Sequence, residues 1–243
     1  MRLDDLGDGR YIYQNENGFC FGIDAVLLAH FAKLRRKDCV LDLCTGNGVI
    51  PLIMEKEAPD GAIFHGLELQ EGAVELARQS VALNGLEEKI VIDQGNVCEA
   101  ASIYGAASFN VVTVNPPYRK KGNGAISEGD ARAIARHEML CTLEDVVREA
   151  SLVLKSNGHF YMIHLPERLQ EIMAVMQRYG LAVKSLRMVQ PFAQKAPNLV
   201  LIAAVKGGAL DMKVDKPLVV YQDVNVYTDE VMQWYQDSGV AKN

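Results

Sequence analysis

The sequence has no hydrophobic run that approaches the roughly 20 residues needed to span a bilayer. It also has no apolar segment near its N-terminus, where Met1-Arg2-Leu3-Asp4-Asp5 stands in place of the hydrophobic part of a signal peptide. From these two absences we expect a cytoplasmic protein without a membrane partner.

Cysteine is scarce, and its spacing is typical of neither a metal site nor a disulfide framework. The chain has five cysteines, an odd number, and no Cys-x-x-Cys pair. We therefore expect no metal ion. Because free cysteine is commonly buried, we expect buried thiols at all five positions: Cys20, Cys39, Cys44, Cys98 and Cys141.

Positive charge is also in short supply overall. A net charge of −6 argues against indiscriminate binding to nucleic acid, which needs many phosphate contacts. The balance reverses locally: residues 119–137 hold five Lys/Arg against two acids, and residues 184–206 hold four Lys/Arg and no acid. This asymmetry favours action on a specific nucleic acid.

Short apolar runs alternate with helical patterns through the middle of the chain. This alternation predicts an α/β fold in which a parallel sheet is covered by helices on both faces. The predicted strands are 39–43, 62–67, 89–93, 109–114, 159–163, 182–189 and 198–205, with helices at 49–57, 71–84, 143–154 and 166–179. No helix separates the last two of the seven strands, so we expect the last strand to be antiparallel.

The two ends of the chain depart from this alternation. The first 37 residues read as an N-terminal extension with a helix that Asp24 caps. Residues 38–208 then form the α/β domain, and residues 209–243 form a C-terminal tail. The tail has one short apolar run, 218–221, and the start of a final helix at Thr228.

A glycine turn follows the first strand of the α/β domain. The segment Val40–Gly48 reads Val-Leu-Asp-Leu-Cys-Thr-Gly-Asn-Gly, in which Gly46 and Gly48 let the backbone approach a ligand closely. Pro51 stands where a full Gly-x-Gly-x-x-Gly motif would have its third glycine. The turn alone is therefore a weak indication of a nucleotide cofactor.

Two polar residues follow the next two strands. Glu68 lies about twenty residues after the turn, where an acid can accept hydrogen bonds from ribose hydroxyls. Gly95-Asn96 follows the third strand, where the amide can contact the edge of an adenine ring. Each has an ordinary structural interpretation alone, but their order on successive strands predicts a cofactor site.

The fourth strand ends in Asn115-Pro116-Pro117-Tyr118. Consecutive prolines have a fixed φ and donate no backbone N–H, so the carbonyls there are held rigidly. An amide oxygen, a stiffened carbonyl and an aromatic ring together suit a flat molecule that bears an amino group. The alternative interpretation is a proline-stiffened turn after a strand.

Taken together, these elements resemble the class I methyltransferases dependent on S-adenosylmethionine, and the Asn-Pro-Pro-Tyr element resembles their amino-group methylating branch. Three further segments resemble the bacterial adenine-N6 methyltransferases that modify valine tRNA beside the anticodon. These segments are Phe21–Ala29, Ala135–Glu138 and Lys195–Val200. The resemblance spans roughly Tyr11 to Gly208.

The resemblance implies a cofactor, S-adenosylmethionine, and a substrate, tRNA, with the protein as a monomer or weak dimer. The implied cofactor contacts are Asp42, Thr45, Gly46, Asn47, Gly48, Glu68, Leu69, Asn96 and Asn115. The implied catalytic residues are Asn115, Pro116, Pro117 and Tyr118, and the implied substrate contacts are Arg119, Lys120, Arg136, His137 and Lys195. Asn96 departs from the pattern, since the wider class more often has aspartate there, and we expect a weaker adenine contact.

Other readings of the same site stay open. A protein glutamine, a ribosomal RNA guanine or a DNA adenine also presents a planar amino group. A non-catalytic RNA-binding module that keeps the fold is a further alternative, although binding alone does not require Asn115. His137 is interpreted as a structural or substrate-contacting residue rather than a base, because this transfer needs no strong base.

Overall fold

The computed structural model describes residues 1–7, 9–15, 20–116 and 141–238. Its strands are Arg2–Gly7 (β1), Arg10–Gln14 (β2), Cys39–Leu43 (β3), Ile63–Glu68 (β4), Ile90–Gln94 (β5), Phe109–Val114 (β6), Leu154–His164 (β7), Leu181–Gln190 (β8), Leu199–Lys206 (β9), Lys213–Val214 (β10), Leu218–Val219 (β11), Tyr221–Asp223 (β12) and Val226–Tyr227 (β13). Its α-helices are Ile23–Phe31 (α1), Val49–Glu57 (α2), Glu71–Leu83 (α3), Ala100–Tyr104 (α4), Leu143–Val153 (α5), Leu169–Arg178 (α6) and Asp229–Ser238 (α7).

The seven principal strands lie side by side in the order β5-β4-β3-β6-β7-β9-β8. Strands β3 to β7 are parallel, and β9 runs antiparallel to both of its neighbours, β7 and β8. The connection between β8 and β9, residues 191–198, is too short for the crossover that a parallel pair requires. The expected α/β sheet with a reversed last strand is confirmed.

The sheet separates two apolar cores. Adjacent residues of a strand point to opposite faces, so Val40 packs with residues of α1, α2 and α3, whereas Leu41 packs with residues of α4, α5 and α6. The same division recurs at Val111 and Val112 on β6. Burial on both faces fixes the strand positions, and with them the residues that follow each strand.

The N-terminal extension contains a hairpin, β1–β2, that the sequence pattern did not indicate. The hairpin lies against α3: the Tyr13 N–H donates to Ser80 Oγ at 3.0 Å, and the Tyr11 N–H donates to Asn84 Oδ1 at 2.9 Å. The predicted capping role of Asp24 is wrong, because α1 begins at Ile23 after Gly22. A Cβ at Gly22 would lie 2.6 Å from Asp24 Oδ1, so the carboxylate covers the residue that precedes the helix.

The tail after residue 208 lies along the free edge of the sheet. Strands β10 and β11 pair in parallel with β8, and β12–β13 form a hairpin before α7. Trp234 of α7 stacks on His30 of α1 with ring centroids 5.7 Å apart. Covering an edge strand in this way removes a template for pairing with another chain.

Strand β7 is longer than predicted. It begins at Leu154 rather than His159, and its pairing with β6 shifts register after Phe109. Asn157 takes up the irregularity with a φ of 60°. None of the helices in the described part of the chain combines the length and apolar character that a bilayer-crossing helix requires.

Candidate active site

The predicted cofactor residues meet at the carboxyl edge of the sheet, where β3, β4, β5 and β6 end side by side. In open α/β sheets this edge is where ligands bind. Thr45, Gly46, Asn47 and Gly48 form the turn after β3, Glu68 ends β4, and Leu69 follows it half-buried. Asn96 follows β5 and Asn115 follows β6.

The glycine turn is fixed by backbone contacts with β4. Gly46 and Gly48 have φ values of 58° and 81°, the left-handed conformation that glycine adopts without strain. The Thr45 N–H donates to the Leu67 carbonyl at 3.1 Å, and the Gly48 N–H donates to the Thr45 carbonyl at 3.0 Å. Gly48 precedes α2, whose first turn presents backbone N–H groups toward this edge of the sheet.

Pro51 lies in that first turn, where its missing N–H costs no helical hydrogen bond. A residue at position 48 larger than glycine would also meet Ala77, since a Cβ there would lie 3.3 Å from the Ala77 Cβ. The turn therefore keeps its glycine for two reasons, conformation and contact with α3.

Glu68 joins the ends of three strands. Its carboxylate accepts hydrogen bonds from the Gly46 N–H at 3.0 Å and the Gln70 N–H at 2.9 Å, and its backbone carbonyl accepts from the Gly95 N–H at 2.9 Å. Glu68 is only 5% exposed. Each carboxylate oxygen keeps a lone pair for a further donor, so the predicted contact with ribose hydroxyls is compatible with this geometry.

Asn96 is partly committed to its own backbone. Its Oδ1 accepts from the Cys98 N–H at 3.0 Å and caps the short 3₁₀ helix Val97–Glu99. Within the described residues its side-chain NH₂ group has no hydrogen bond. The predicted adenine contact stays a prediction, and the NH₂ group is the part of this side chain that is available for it.

Asp42 and Asn115 place buried oxygens without partners at the ends of adjacent strands. Asp42 is 1% exposed, and its Oδ1 accepts from the Thr113 hydroxyl at 2.6 Å. Asp42 Oδ2, Thr45 Oγ1 and Asn115 Oδ1 have no hydrogen-bond partner in the part of the chain that is described. Buried polar atoms are nearly always paired, and the Thr45 hydroxyl is near enough to the Asp42 carboxyl group to lower its pKa. Asn115 Oδ1 is therefore the oxygen that most clearly favours a polar ligand at this edge.

Burial raises the pKa of Asp42 to about 7. The Thr113 hydroxyl, and then the nearby Thr45 hydroxyl, oppose this increase, whereas the negative charge of Glu68 adds to it. A positively charged ligand beside the carboxyl group would lower the pKa again and favour the ionised form.

The remaining predicted site residues divide into two groups. Pro116 is buried next to Asn115, and Lys195 lies exposed in the connection between β8 and β9. The others lie outside the described residues: Pro117, Tyr118, Arg119, Lys120, Arg136 and His137. Asn47 has a structural contact as well, since its Nδ2 donates to the Tyr13 carbonyl at 3.3 Å and so ties the hairpin to the turn.

The second basic cluster is largely used inside the fold. Lys184 pairs with Asp211, Arg187 pairs with Glu230 at 2.7 Å, and the Lys206 ammonium donates to the Ser151 and Leu154 carbonyls. Of the four cations in this cluster, Lys195 alone has no ion pair or side-chain hydrogen bond among the described residues. The positive surface that residues 184–206 contribute is therefore smaller than their composition predicts.

The thiols are less buried than expected. Cys20 is exposed, and the other four cysteines are half-buried. Cys98, Cys141 and Asp145 bring potential ligand atoms within 4.8 Å of one another, a grouping of distant residues that no spacing rule indicated. The Asp145 carboxylate already accepts from the Thr142 N–H at 3.0 Å and pairs with Arg148 at 2.7 Å.

His164 is a further residue at this edge that sequence reasoning missed. It ends β7, beside the end of β6, and is 1% exposed. Its Nδ1 accepts from the Leu165 N–H at 2.7 Å, and burial lowers its pKa to about 4. The only available signal was a histidine directly after a predicted strand, 159–163.

A family model described as the methyltransferase small domain matches residues 22–179. The chain belongs to this methyltransferase family. The match covers β3 to β7 and every residue of the glycine turn.

Two curated proteins that this methyltransferase resembles carry the same name. The chain is 29% identical to the tRNA1(Val) (adenine(37)-N6)-methyltransferase of Porphyromonas gingivalis, over 74% of this chain and 72% of that protein. It is 27% identical to the protein of the same name from Histophilus somni, over 93% of both chains.

A solved structure shares the fold. A predicted O-methyltransferase from Agrobacterium tumefaciens superposes with a TM-score of 0.71 at 21% identity, over 90% of this methyltransferase and 98% of that chain. At this identity the likeness concerns the fold, and the class I arrangement of the sheet is confirmed.

We predict that Asp42→Asn changes the pH dependence of stability. The folded state of this methyltransferase holds the Asp42 proton up to about pH 7, whereas the ordinary pKa is 3.8. Stability from this group is therefore lost as pH rises from about 4 to 7, by at most roughly 4 kcal/mol. Urea denaturation at pH 4.5 and pH 8 should show the Asp42→Asn variant gaining on the wild type as pH rises.

The exposed carboxylate of Asp60 supplies the control, since its side chain is 91% exposed. Asp60→Asn should leave the pH dependence of the unfolding free energy unchanged. A difference between Asp42→Asn and wild type that is the same at both pH values would contradict the buried-proton interpretation.

Proposed function

We propose that this methyltransferase transfers the methyl group of S-adenosylmethionine to the N6 amine of adenine 37, next to the anticodon of valine tRNA. The observation that carries the proposal is Asn115 Oδ1, which is buried at the end of β6 beside the glycine turn and has no hydrogen-bond partner among the described residues. The shared name of relatives that align over most of the chain supports the substrate. Action on tRNA implies a cytoplasmic location.

The residues at the carboxyl edge fit the cofactor. S-adenosylmethionine supplies an electrophilic methyl group on a cationic sulfur. Glu68 keeps lone pairs for ribose hydroxyls, and the neighbouring Asp42 carboxyl group and Thr45 hydroxyl are buried polar groups at the same edge. A cation-bearing ligand with several N–H and O–H donors matches this set of oxygens.

The Asn115 Oδ1 and the Pro116 carbonyl act on the substrate amine. An adenine amine is a poor nucleophile, because its lone pair is delocalised into the ring. When two oxygens accept hydrogen bonds from its two N–H groups, the nitrogen is drawn toward tetrahedral geometry. Its lone pair then turns toward the methyl group. Catalysis then consists of orientation and of dipoles placed where positive charge develops.

A base in an RNA loop suits such a pocket. Enzymes that modify a base take it out of its stack, at a cost of a few kcal/mol that is least for unpaired bases. Sequence-specific recognition of RNA likewise targets single-stranded loops. An anticodon loop therefore presents its adenine at a lower cost than a paired region does.

The function is tested by tritiated methyl incorporation. Bulk tRNA, ribosomal RNA, DNA and a release-factor protein are offered separately, and the labelled product is digested to nucleosides or amino acids. We expect label only in tRNA, as N6-methyladenosine. Label in the release factor, in DNA or in ribosomal RNA guanine instead would refute the proposed substrate.

We predict that Asn115→Ala lowers kcat for methyl transfer by about 10²–10³-fold, the typical loss when one preorganised hydrogen-bonding group is removed. The dissociation constant for S-adenosylmethionine, measured by calorimetry, should stay nearly unchanged. Gln177→Ala removes an exposed carboxamide on α6 and should match the wild type. Equal loss of cofactor affinity in Asn115→Ala would show that Asn115 serves binding rather than transfer.

We predict that Glu68→Gln raises the dissociation constant for S-adenosylmethionine by about tenfold or more, because a hydrogen bond to a charged group is worth roughly 1.5–3 kcal/mol. The glutamine side chain of the variant has one acceptor oxygen, where the carboxylate has two. The ribose hydroxyls would compete for this oxygen with the Gly46 and Gln70 N–H groups. Glu99→Gln removes an exposed charge nearby and serves as the control. Unchanged affinity in Glu68→Gln would remove Glu68 from the ribose site.

A further inference from the structure

Three aromatic rings form a row beyond the carboxyl edge of the sheet. Phe192 lies 5.6 Å from Tyr221, and Tyr221 stacks on Tyr227 with centroids 5.0 Å apart and an interplanar angle of 18°. All three residues are half-buried, and Tyr221 and Tyr227 pack against the larger core. We call this row the aromatic shelf.

The shelf joins two segments that are far apart in the sequence. The tail follows β8 past its end, where the Val220 N–H donates to the Gln190 carbonyl at 2.8 Å and the Tyr221 N–H donates to the Pro191 carbonyl at 2.9 Å. The Thr228 hydroxyl donates to the Val219 carbonyl at 2.7 Å and closes the β12–β13 hairpin. The rings are therefore held in place by backbone contacts before any partner binds.

The strand register places the shelf beside the reacting position. Val114 pairs with Met162, and Met162 pairs with Ile202, so Leu201 lies at the level of Asn115. Between β6 and the β8–β9 connection lie two to three strand spacings, roughly 10–14 Å. The connection, residues 191–198, precedes Leu199 in the antiparallel strand β9, so it lies beyond the level of Leu201 toward the carboxyl edge.

Charge at the shelf suits a polyanion. Lys195 lies exposed in the same connection, and its backbone is fixed by the Gln190 side chain, which donates to the Lys195 carbonyl at 2.8 Å. The nearby acids are engaged within the tail: Asp223 Oδ1 accepts from the Val224 N–H at 2.7 Å, and Glu230 pairs with Arg187. Val224, at the hairpin tip, is 72% exposed, an apolar contact area that the fold leaves uncovered.

From this arrangement we infer that the aromatic shelf and Lys195 bind the loop nucleotides that flank the target adenine. The inference rests on the proposed function and adds a substrate-positioning surface to it. Unstacked loop bases bind on aromatic side chains, and Lys195 meets the phosphate that links them. Tail residues thereby contribute to substrate choice.

The experiment measures methylation of an anticodon stem-loop RNA of valine tRNA with variants of the whole chain. Phe192→Leu and Tyr227→Leu keep apolar volume but remove a flat ring, and each should raise KM for the RNA about tenfold. The kcat and the dissociation constant for S-adenosylmethionine should stay unchanged. Lys195→Ala should also raise KM for the RNA. The slope of log KM against log salt concentration should fall by about one, as expected when one phosphate contact is lost.

Tyr11→Leu is the matched control, because Tyr11 is a 38% exposed tyrosine on β2, at the opposite edge of the sheet. Thermal unfolding of each variant checks that the fold is intact. In addition, 4-thiouridine beside adenine 37 should crosslink to residues 191–198 or 221–227.

The possible results test the aromatic shelf and the proposed function separately. Methylation of the stem-loop by wild type, with unchanged KM in Phe192→Leu, Tyr227→Leu and Lys195→Ala, would overturn the shelf and leave the function intact. Unchanged RNA kinetics together with loss of a bound protein partner would overturn the RNA assignment of this surface. If wild type methylates no RNA, the proposed function fails, and the shelf fails with it.

Discussion

The Glu68 carboxylate is the contact on which the geometry of the candidate site depends. It is buried, it holds the N–H groups of Gly46 and Gln70, and its backbone carbonyl holds Gly95. Without the carboxylate, the Gly46 and Gln70 N–H groups would lose their acceptor, and the glycine turn would lose its side-chain link to the end of β4. Hydrogen bonds to a charged acceptor are stronger than neutral ones, which lets one side chain hold a turn that contains Cys44 in the left-handed conformation, with a φ of 58°.

Much of this architecture was readable from local pattern. Strand β6 and helix α2 were both predicted with the bounds that the structure has, 109–114 and 49–57. An apolar run indicates the strand, and a glycine before the helix and a proline after it mark the helix ends. The hairpin β1–β2 was missed because its polar residues interrupt the alternation of apolar and polar residues that indicates a strand. In addition, it packs against α3, which is distant in the sequence. The division of the chain at residues 37 and 208 stays a prediction; α1 and α7 both pack on the larger core.

Charge was the property that sequence reasoning handled least well. Residues 184–206 contain no acid, but Asp211 and Glu230, more than twenty residues away from their partners, neutralise Lys184 and Arg187. Pairing between distant segments is set by topology rather than by composition. The site roles of individual residues stay predictions for a related reason: the sequence placed Asp42, Glu68 and Asn115 at strand ends, but only the fold brings their oxygens to one edge.

The unpartnered oxygens at that edge have a cost, and the cost links ligand binding to stability. A buried polar atom without a partner destabilises the fold by roughly 1–3 kcal/mol, and among the described residues Asn115 Oδ1 is such an atom, close to the Asp42 and Thr45 oxygens at the same edge. The two packed cores on either side of the sheet hold these atoms in place despite that cost. A ligand that donates to them restores the missing hydrogen bonds and stabilises the folded state by mass action. The same rigidity means that the acceptors need no rearrangement when charge develops on the substrate, which is the condition under which dipoles accelerate a reaction.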